Sequence, residues 1–523
     1  MCEDTKHFDL NDLYKVLKKH DVDILRHFCD PSLSDDDYFF YGINSDIFSN
    51  ALNILINYLS NNLESAGVDQ SCRTIIEAMV VLKMDAAGNI SNAQKRIYRY
   101  HYPFVDLDNF HSLLKDKNDE MDDLTKNRLE EDKAKSIQAM IEHFGCKEKD
   151  LKKRDISIDD PCFYLKDSLK NDVKFSKLLK KYPVGNQEDI KMYDFFSLFI
   201  HPRCEMNLQT EEAIMKVRKV YVDNVLDYVF HYLMNSKLLC DTHDLSDFNT
   251  DFFYNPLLYA NVHNVKEIEK AMMILQEKLC KLPDGYDVFS WQFIEKMKYL
   301  VIDMMISMSL GYKEHVIALF KPFIEEYSIY FAIGSVESQR DFDYVKRGYW
   351  LSSRIQLDEY LKALNLGGSI ISENEIETLY SEYYNEKYKL DDYGYFNSEL
   401  KRNSLFFLKN ERKSYNKYVR NAIQTVFTDE EISKEVMTVY RISKDMSHAS
   451  GYNFNASEGI VDVTCHKVML FCWNLINFYI ISAAATLEEH GVAIDFNPIV
   501  ELFKSLTQMS NDALLEIYQN KHE

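Results

Sequence analysis

The sequence predicts an all-α fold made of two tandem helical repeats, from its composition, its periodicity and its internal repetition. Only 15 of the 523 residues are Gly and 9 are Pro. Turns are therefore few, which favours long helices over sandwiches, propellers and glycine-rich nucleotide folds. Apolar residues make up 46% of the chain, enough for a core that needs no metal or disulfide.

The helices follow from runs of apolar residues with a helical period. In the first half they are predicted over 50–61 and from Arg73 onward, and in the second half over 293–310 and from Lys321 onward. The charged stretch 113–144 predicts an exposed helical hairpin, a solvated surface rather than a binding site.

The uncharged segment 468–487 is long enough to cross a bilayer. Against this, it contains Asn474, Asn477 and Ser482, it lacks the Lys/Arg asymmetry of spanning helices, and its counterpart 214–239 is charged. We therefore expect a buried core helix and no membrane association.

Three landmarks recur at an almost constant offset, which indicates a tandem duplication. Arg73 and Glu77 correspond to Lys321 and Glu325, and Glu325 lies 325 − 77 = 248 positions after Glu77. Arg347 likewise lies 347 − 99 = 248 positions after Arg99. Chance similarity among common helical patterns is the alternative.

The third landmark pairs a tyrosine with a histidine eight residues later, Tyr193 with His201 and Tyr440 with His448, at an offset of 448 − 201 = 247. The Asp/Asn-rich stretch 245–262 is the predicted join, which gives repeats over 1–248 and 249–523.

The charge and the cysteines restrict the function classes. The net charge is −22, so the whole surface repels nucleic acid and anionic membranes. RNA therefore has to bind through a local basic cleft, for which the aromatic and basic stretches 95–102 and 409–420 are candidates. Ordinary helix surfaces are the alternative interpretation of both stretches.

None of the ten cysteines forms a CxxC pair, which favours reduced thiols in a cytoplasmic protein. The N-terminal residues have no apolar core typical of a signal peptide. No zinc spacing, GxxxxGK, HExxH or GxSxG is present, and no metal or cofactor is predicted.

Both histidines are predicted at helix ends, His201 before Pro202 and His448 three residues before Gly451. Arg441 precedes His448 by seven residues, nearly two helical turns, so the two share one face. That face combines a titratable imidazole with a guanidinium suited to phosphate.

Arg-x6-His near the end of a helix resembles the signature of the HEPN superfamily of prokaryotic helical proteins. The chain is also similar to a bacterial HEPN-like family of unknown function, in which Arg-x-x-x-Glu is followed by Tyr-x-x-x-Ser-x-x-x-His-Pro/Ala. Arg73, Glu77, Tyr193, Ser197, His201 and Pro202 fit this pattern in the first half, and Glu325, Tyr440, His448 and Ala449 fit it in the second. Lys321 and Lys444 depart from it, and Asp194 stands where the second half has Arg441.

The resemblance implies a metal-independent endoribonuclease of a defence, abortive-infection or toxin system, with the two repeats packed as a pseudo-dimer. It implies catalytic roles for Arg441, His448 and His201. The candidates for support or substrate binding are Arg73, Glu77, Arg99, Lys321, Glu325, Arg347, Tyr193 and Tyr440.

Two alternatives stay open at this point. In the first, the glutamates form structural ion pairs, either with Arg73 and Lys321 one turn earlier or with Arg99 and Arg347, and the histidines only cap helices. In the second, the whole chain is a non-catalytic module that senses or binds a protein or nucleotide partner. RNA, with tRNA as one candidate, is the partner of the ribonuclease interpretation, and every interpretation leaves a homo-oligomer open.

Overall fold

The fold is described from a computed structural model. The structure describes positions 13 and 17 and residues 32–59, 62–100, 123–153, 162–171, 173–185, 188–200, 208–235, 256–279, 286–309, 313–334, 415–447, 458–492, 495 and 497–520. Within these residues every regular element is a helix, which confirms the all-α prediction.

The first half contributes eight α-helices and one short 3₁₀ turn to the described part of the chain. They are α1 (Asp35–Leu59), α2 (Ala66–Ala86), α3 (Asn92–Tyr100), α4 (Asp123–Phe144), α5 (Glu148–Leu151), the 3₁₀ turn Phe163–Leu165, α6 (Phe175–Lys181), α7 (Asp189–Ile200) and α8 (Leu208–Asn235). The predicted hairpin over 113–144 is a single helix from Asp123 onward, and its earlier part lies outside the described residues.

The second half contributes seven helices to the described residues. They are α9 (Pro256–Leu279), α10 (Tyr286–Ser309), α11 (Lys313–Gly334), α12 (Tyr415–Val426), α13 (Glu430–Met446), α14 (Glu458–Glu489) and α15 (Asn497–Asn520). Shifted by 248 positions, α2 would cover 314–334, which is nearly the span of α11. The pairs α1 and α10, α7 and α13, and α8 and α14 follow the same order.

Each half has its own hydrophobic core. One cluster of buried side chains extends from Leu13 to Leu233 and the other from Ile268 to Leu506. The interval between the clusters contains the predicted join at 245–262. Since α2 and α11 each pack against the other helices of their own half, they bring the landmark residues of both halves into the interior.

The two halves meet through a buried polar network centred on Asp303 of α10, whose side chain is fully buried. Asn57 donates to Asp303 Oδ1 at 3.0 Å and Ser65 donates to Oδ2 at 2.6 Å. Ser65 is also the N-cap of α2, where its hydroxyl accepts the Gly67 N–H. A Cβ on Gly67 would lie 2.1 Å from Asp303 Oδ2, so glycine permits this close approach of the halves.

One helix in the described part of the chain is long and apolar enough to cross a membrane, over Val463–Glu489. In its most apolar window, 56% of the residues are buried inside the protein. Trp473 and Leu475 are among the residues fully packed in the second core. A buried core helix passes the same length and composition test, so this single helix is weak evidence for a membrane.

Candidate functional site at the junction of the two halves

A buried glutamate in each half accepts a hydrogen bond from a tyrosine hydroxyl. Tyr193 on α7 donates to Glu77 Oε1 on α2 at 2.8 Å. Tyr440 on α13 donates to Glu325 Oε1 on α11 at 3.0 Å. The same bond therefore joins corresponding helices, across sequence separations of 116 and 115 residues.

In the first half, Arg73 completes this unit by donating its Nε–H to Glu77 Oε1 at 2.9 Å. Burial acts to lower the pKa of Arg73, but Glu77 and Tyr193 outweigh it and raise the pKa. Burial first, and then the Glu77 charge, raise the pKa of Tyr193. Both groups therefore keep their protons throughout the physiological range, as suits a fixed structural unit.

The second half differs because Lys321 replaces the arginine. Lys321 is 5% exposed, and its ammonium has no hydrogen bond or ion pair with any residue that the structure describes. Burial lowers the pKa of Lys321 to about 8; Glu325 opposes this shift, while the positive charges of Arg73 and Lys444 add to it. Cations from both halves are therefore within electrostatic range of one another.

Helix α13 supplies a hydrogen bond that α11 lacks at its internal proline. Pro322 lies inside α11 and has no N–H, so the carbonyl four residues earlier, on Ala318, lacks its intrahelical donor. The Ser443 hydroxyl donates to this carbonyl at 3.1 Å and accepts the Lys321 backbone N–H at 2.6 Å. The proline thus explains why a serine of α13 is needed at this contact.

The C-terminal end of α13 is held by the other half. Gln70 on α2 donates its Nε2–H to the Ser447 carbonyl, one of the carbonyls that a helix end leaves without an intrahelical partner. Gln70 is 1% exposed. Its Oε1 atom is buried without a hydrogen-bond partner among the described residues.

The C-terminal end of α7 approaches the same part of α2. Phe199 and Ile200, the last residues of α7, line a small pocket together with Asp69 of α2 and Pro322 of α11. Arg218 also lines it and binds Asp69 with two hydrogen bonds of 3.1 and 2.9 Å. Asp69 and Gln70 are adjacent in α2, so the pocket beside the end of α7 and the bond to the end of α13 involve the same turn of α2.

Some of the predicted site residues lie outside the described residues. His201, His448 and Arg347 are among them, so their roles stay predictions. Of the predicted catalytic residues, Arg441 is described and exposed, without an ion pair in the described part of the chain.

The predicted supporting residues fall into two places. Arg73, Glu77, Tyr193, Lys321, Glu325 and Tyr440 meet at the junction. Arg99 is in a different environment, where its Nη1 donates to Asp35 Oδ1 and to the Leu33 carbonyl at 2.8 Å each. The structural interpretation of Glu77 is therefore supported by Arg73 as its partner.

The basic stretch 95–102 is neutralised where the structure describes it. Lys95 lies 2.8 Å from Asp36 and 2.7 Å from Asp85. Arg96 pairs with Glu142 at 2.6 Å. Since Arg99 is paired as well, α3 offers no surplus of positive charge, which favours an ordinary helix surface.

Sequence reasoning missed Gln70, Ser443 and Asp303. Only Asp303 carried a usable signal, a single carboxylate in the apolar run 297–309, because a buried charge needs partners. Within the described residues, no group of three His, Cys, Asp or Glu side chains is arranged to hold a metal ion.

Comparison of the chain with protein-family models, with curated proteins and with solved structures found no match.

Proposed function

We propose that the chain is a metal-independent endoribonuclease of the HEPN type, an effector of a bacterial defence, abortive-infection or toxin system that acts in the cytoplasm. The observation that carries the proposal is that one turn of α2 lies beside the ends of both α7 and α13. Ile200 lines a pocket with Asp69, and Ser447 is bonded to the adjacent Gln70. In the sequence, His201 directly follows Ile200 and His448 directly follows Ser447.

The proposed RNA cleavage needs an acid and a base that both reach one phosphodiester, and His201 and His448 are the candidates for these roles. One histidine takes the proton of the ribose 2′-hydroxyl, and that oxygen attacks the adjacent phosphorus. The bond from phosphorus to the 5′-oxygen breaks, and the second histidine protonates the leaving oxygen. Arg441, exposed and without an ion pair among the described residues, stabilises the pentacoordinate phosphate. The products are a 2′,3′-cyclic phosphate and a 5′-hydroxyl.

Purified protein incubated with total RNA or tRNA in EDTA tests the proposal. We expect cleavage, and a rate at least about a hundredfold lower for His448→Ala, since general acid–base catalysis contributes about 10² to 10⁴. His490→Ala is the matched control, because His490 is an exposed histidine distant in sequence from the site. Absence of cleavage by the unaltered protein, or equal cleavage by His448→Ala, would count against an RNase.

A non-catalytic module that senses or binds a protein or nucleotide partner is the second candidate. It is favoured by the neutralised cations of α3 and by Asp194, which is exposed where the second half has Arg441. This hypothesis predicts that His448→Ala leaves the cellular phenotype intact, whereas substitutions on an exposed helical face abolish it.

A further inference from the structure

Two lysines at the junction have ammonium groups that no described residue pairs with, and Arg73 is close enough to Lys321 to lower its pKa. The ammonium groups of Lys321 and Lys444 make no hydrogen bond or ion pair with the described residues, and Lys321 is 5% exposed. Arg73 bonds Glu77 through Nε, and its guanidinium carbon lies 5.5 Å from the centre of the Tyr193 ring. Buried cations are normally paired, so the unpaired ammonium of the buried Lys321 needs an explanation.

Contacts among α2, α11 and α13 bring the three residues to one part of the junction. Helix α13 touches α11 where Ser443 binds Lys321, and it touches α2 where Ser447 binds Gln70. Lys444 lies between these two contacts on α13. Gln70 and Arg73 are three residues apart on α2 and therefore neighbours on one face.

The carboxylates at the junction do not balance these charges. Three cations face Glu77 and Glu325, each of which accepts a tyrosine hydroxyl, so a net positive charge remains. The positive charges of Arg73 and Lys444 help burial to lower the pKa of Lys321 to about 8, with Glu325 opposing. An anion bound among them would remove this repulsion.

We propose that Arg73, Lys321 and Lys444 form a binding site for the phosphate group of a nucleotide, and that Gln70 Oε1 accepts a hydrogen bond from an O–H or N–H group of the same ligand. Gln70 Oε1 supports this because it is buried without a described partner. The phosphate belongs either to an RNA strand or to a free nucleotide. The RNA source rests on the proposed function, whereas phosphate binding itself does not require cleavage.

Calorimetric titration of the full-length protein tests the site with three probes: inorganic phosphate, AMP and a 2′-O-methyl oligoribonucleotide, none of which has a 2′-hydroxyl beside a phosphodiester. We expect phosphate to bind and Lys444→Met to weaken it at least about tenfold, while Lys444→Arg retains it. Lys434→Met is the matched control, because Lys434 lies on the same helix, exposed and paired with Glu430 at 2.8 Å. Its affinity for phosphate should equal that of the unaltered protein.

Gln70→Met tests the acceptor. AMP should bind more tightly than phosphate to the unaltered protein, and this advantage should shrink in Gln70→Met, because the methionine offers no amide oxygen to the ligand donors. Tighter binding of the oligonucleotide than of AMP indicates an RNA strand as the source, and the reverse indicates a free nucleotide.

Absence of phosphate binding by the unaltered protein overturns the site, as does equal affinity in Lys444→Met, a half-exposed position where folding should be unaffected. Lys321→Met is a second test variant, because it should also abolish phosphate binding. Phosphate binding without RNA cleavage would reject the ribonuclease and keep the site; cleavage without phosphate binding would do the opposite.

Discussion

Gln70 in the first half of the chain donates its side-chain amide to the backbone carbonyl of Ser447 in the second half. This single bond makes the C-terminal turn of α13 depend on a residue 377 positions away in sequence. Within the turn, the Ser447 N–H donates to the Ser443 carbonyl at 3.1 Å. A residue of the first half therefore stabilises the C-terminal turn of α13 in the second half.

Gln70→Met should loosen this turn with little effect on global stability. The substitution removes the hydrogen bond to the Ser447 carbonyl, which destabilises the protein. It also removes the Oε1 acceptor, whose burial without a partner costs about 1–3 kcal/mol, so the two effects partly cancel. We expect hydrogen exchange of the last-turn amides of α13 to accelerate about tenfold. Gln94→Met is the control, because Gln94 is also buried and donates to a carbonyl within the first half, on Tyr164 at 2.9 Å. An unchanged exchange rate in Gln70→Met would contradict the coupling.

The tyrosine–glutamate pairs should stabilise both halves similarly. Tyr193→Phe and Tyr440→Phe each deprive a buried carboxylate of a donor, which should lower the free energy of unfolding by about 1–3 kcal/mol in urea titrations. Tyr98→Phe is the matched control, because Tyr98 is 1% exposed and its hydroxyl has no hydrogen-bond partner in the described part of the chain. The free energy of unfolding of Tyr98→Phe should be unchanged or slightly higher. If it falls as much as in Tyr193→Phe and Tyr440→Phe, the loss comes from the environment of the ring rather than from the glutamates.

The helices and the paired landmarks were predictable because both leave local signals. Helical periodicity marks each segment, and a residue that stabilises a repeated contact, as Tyr193 does with Glu77 and Tyr440 with Glu325, recurs with the same spacing. Sequence alone predicted that these landmarks share a role but did not show that Arg73 and Tyr193, rather than Arg99, contact Glu77.

The orientation of α13 could not be predicted from spacing. Tyr440 is anchored on Glu325, and residues four apart share a helix face, so Lys444 turns toward the junction. Arg441 lies about 100° further round the helix and is exposed. Contacts between the halves, such as those of Gln70 and Asp303, leave no periodic signal, because periodicity identifies a buried face and not what covers it.

Asp303→Ala should destabilise the contact between the halves. The substitution leaves the donors of Asn57 and Ser65 without their acceptor in a fully buried environment. Breaking a buried charged network of this kind costs about 3 kcal/mol or more, to be measured by urea denaturation. Asp512→Ala is the control, because Asp512 is exposed and bonded to Gln508 on the same helix. Equal stability of the two variants would mean that the network contributes nothing to the junction.

Lys321→Met should stabilise the protein, and the gain should depend on pH. The pKa of Lys321 is lowered from 10.5 to about 8 in the folded state, by burial and by Arg73 and Lys444 against Glu325. At pH 7 the lysine is protonated in both states, but only the folded state buries its charge. This burial lowers the free energy of unfolding by about 3 kcal/mol, at 1.4 kcal/mol per pKa unit.

Between pH 8 and 10.5 the folded state loses this proton while the unfolded state keeps it. The free energy of unfolding of the unaltered protein therefore rises with pH in this window through Lys321. Lys321→Met should exceed it by about 3 kcal/mol at pH 7, and the difference should narrow by about 1.4 kcal/mol for each pH unit above 8. Urea titrations of both proteins at pH 7, 8, 9 and 9.5 measure this difference, and effects of the raised tyrosine pKa values cancel between them. A difference that stays constant with pH, or a less stable Lys321→Met, would mean that the Lys321 ammonium is already compensated at the junction.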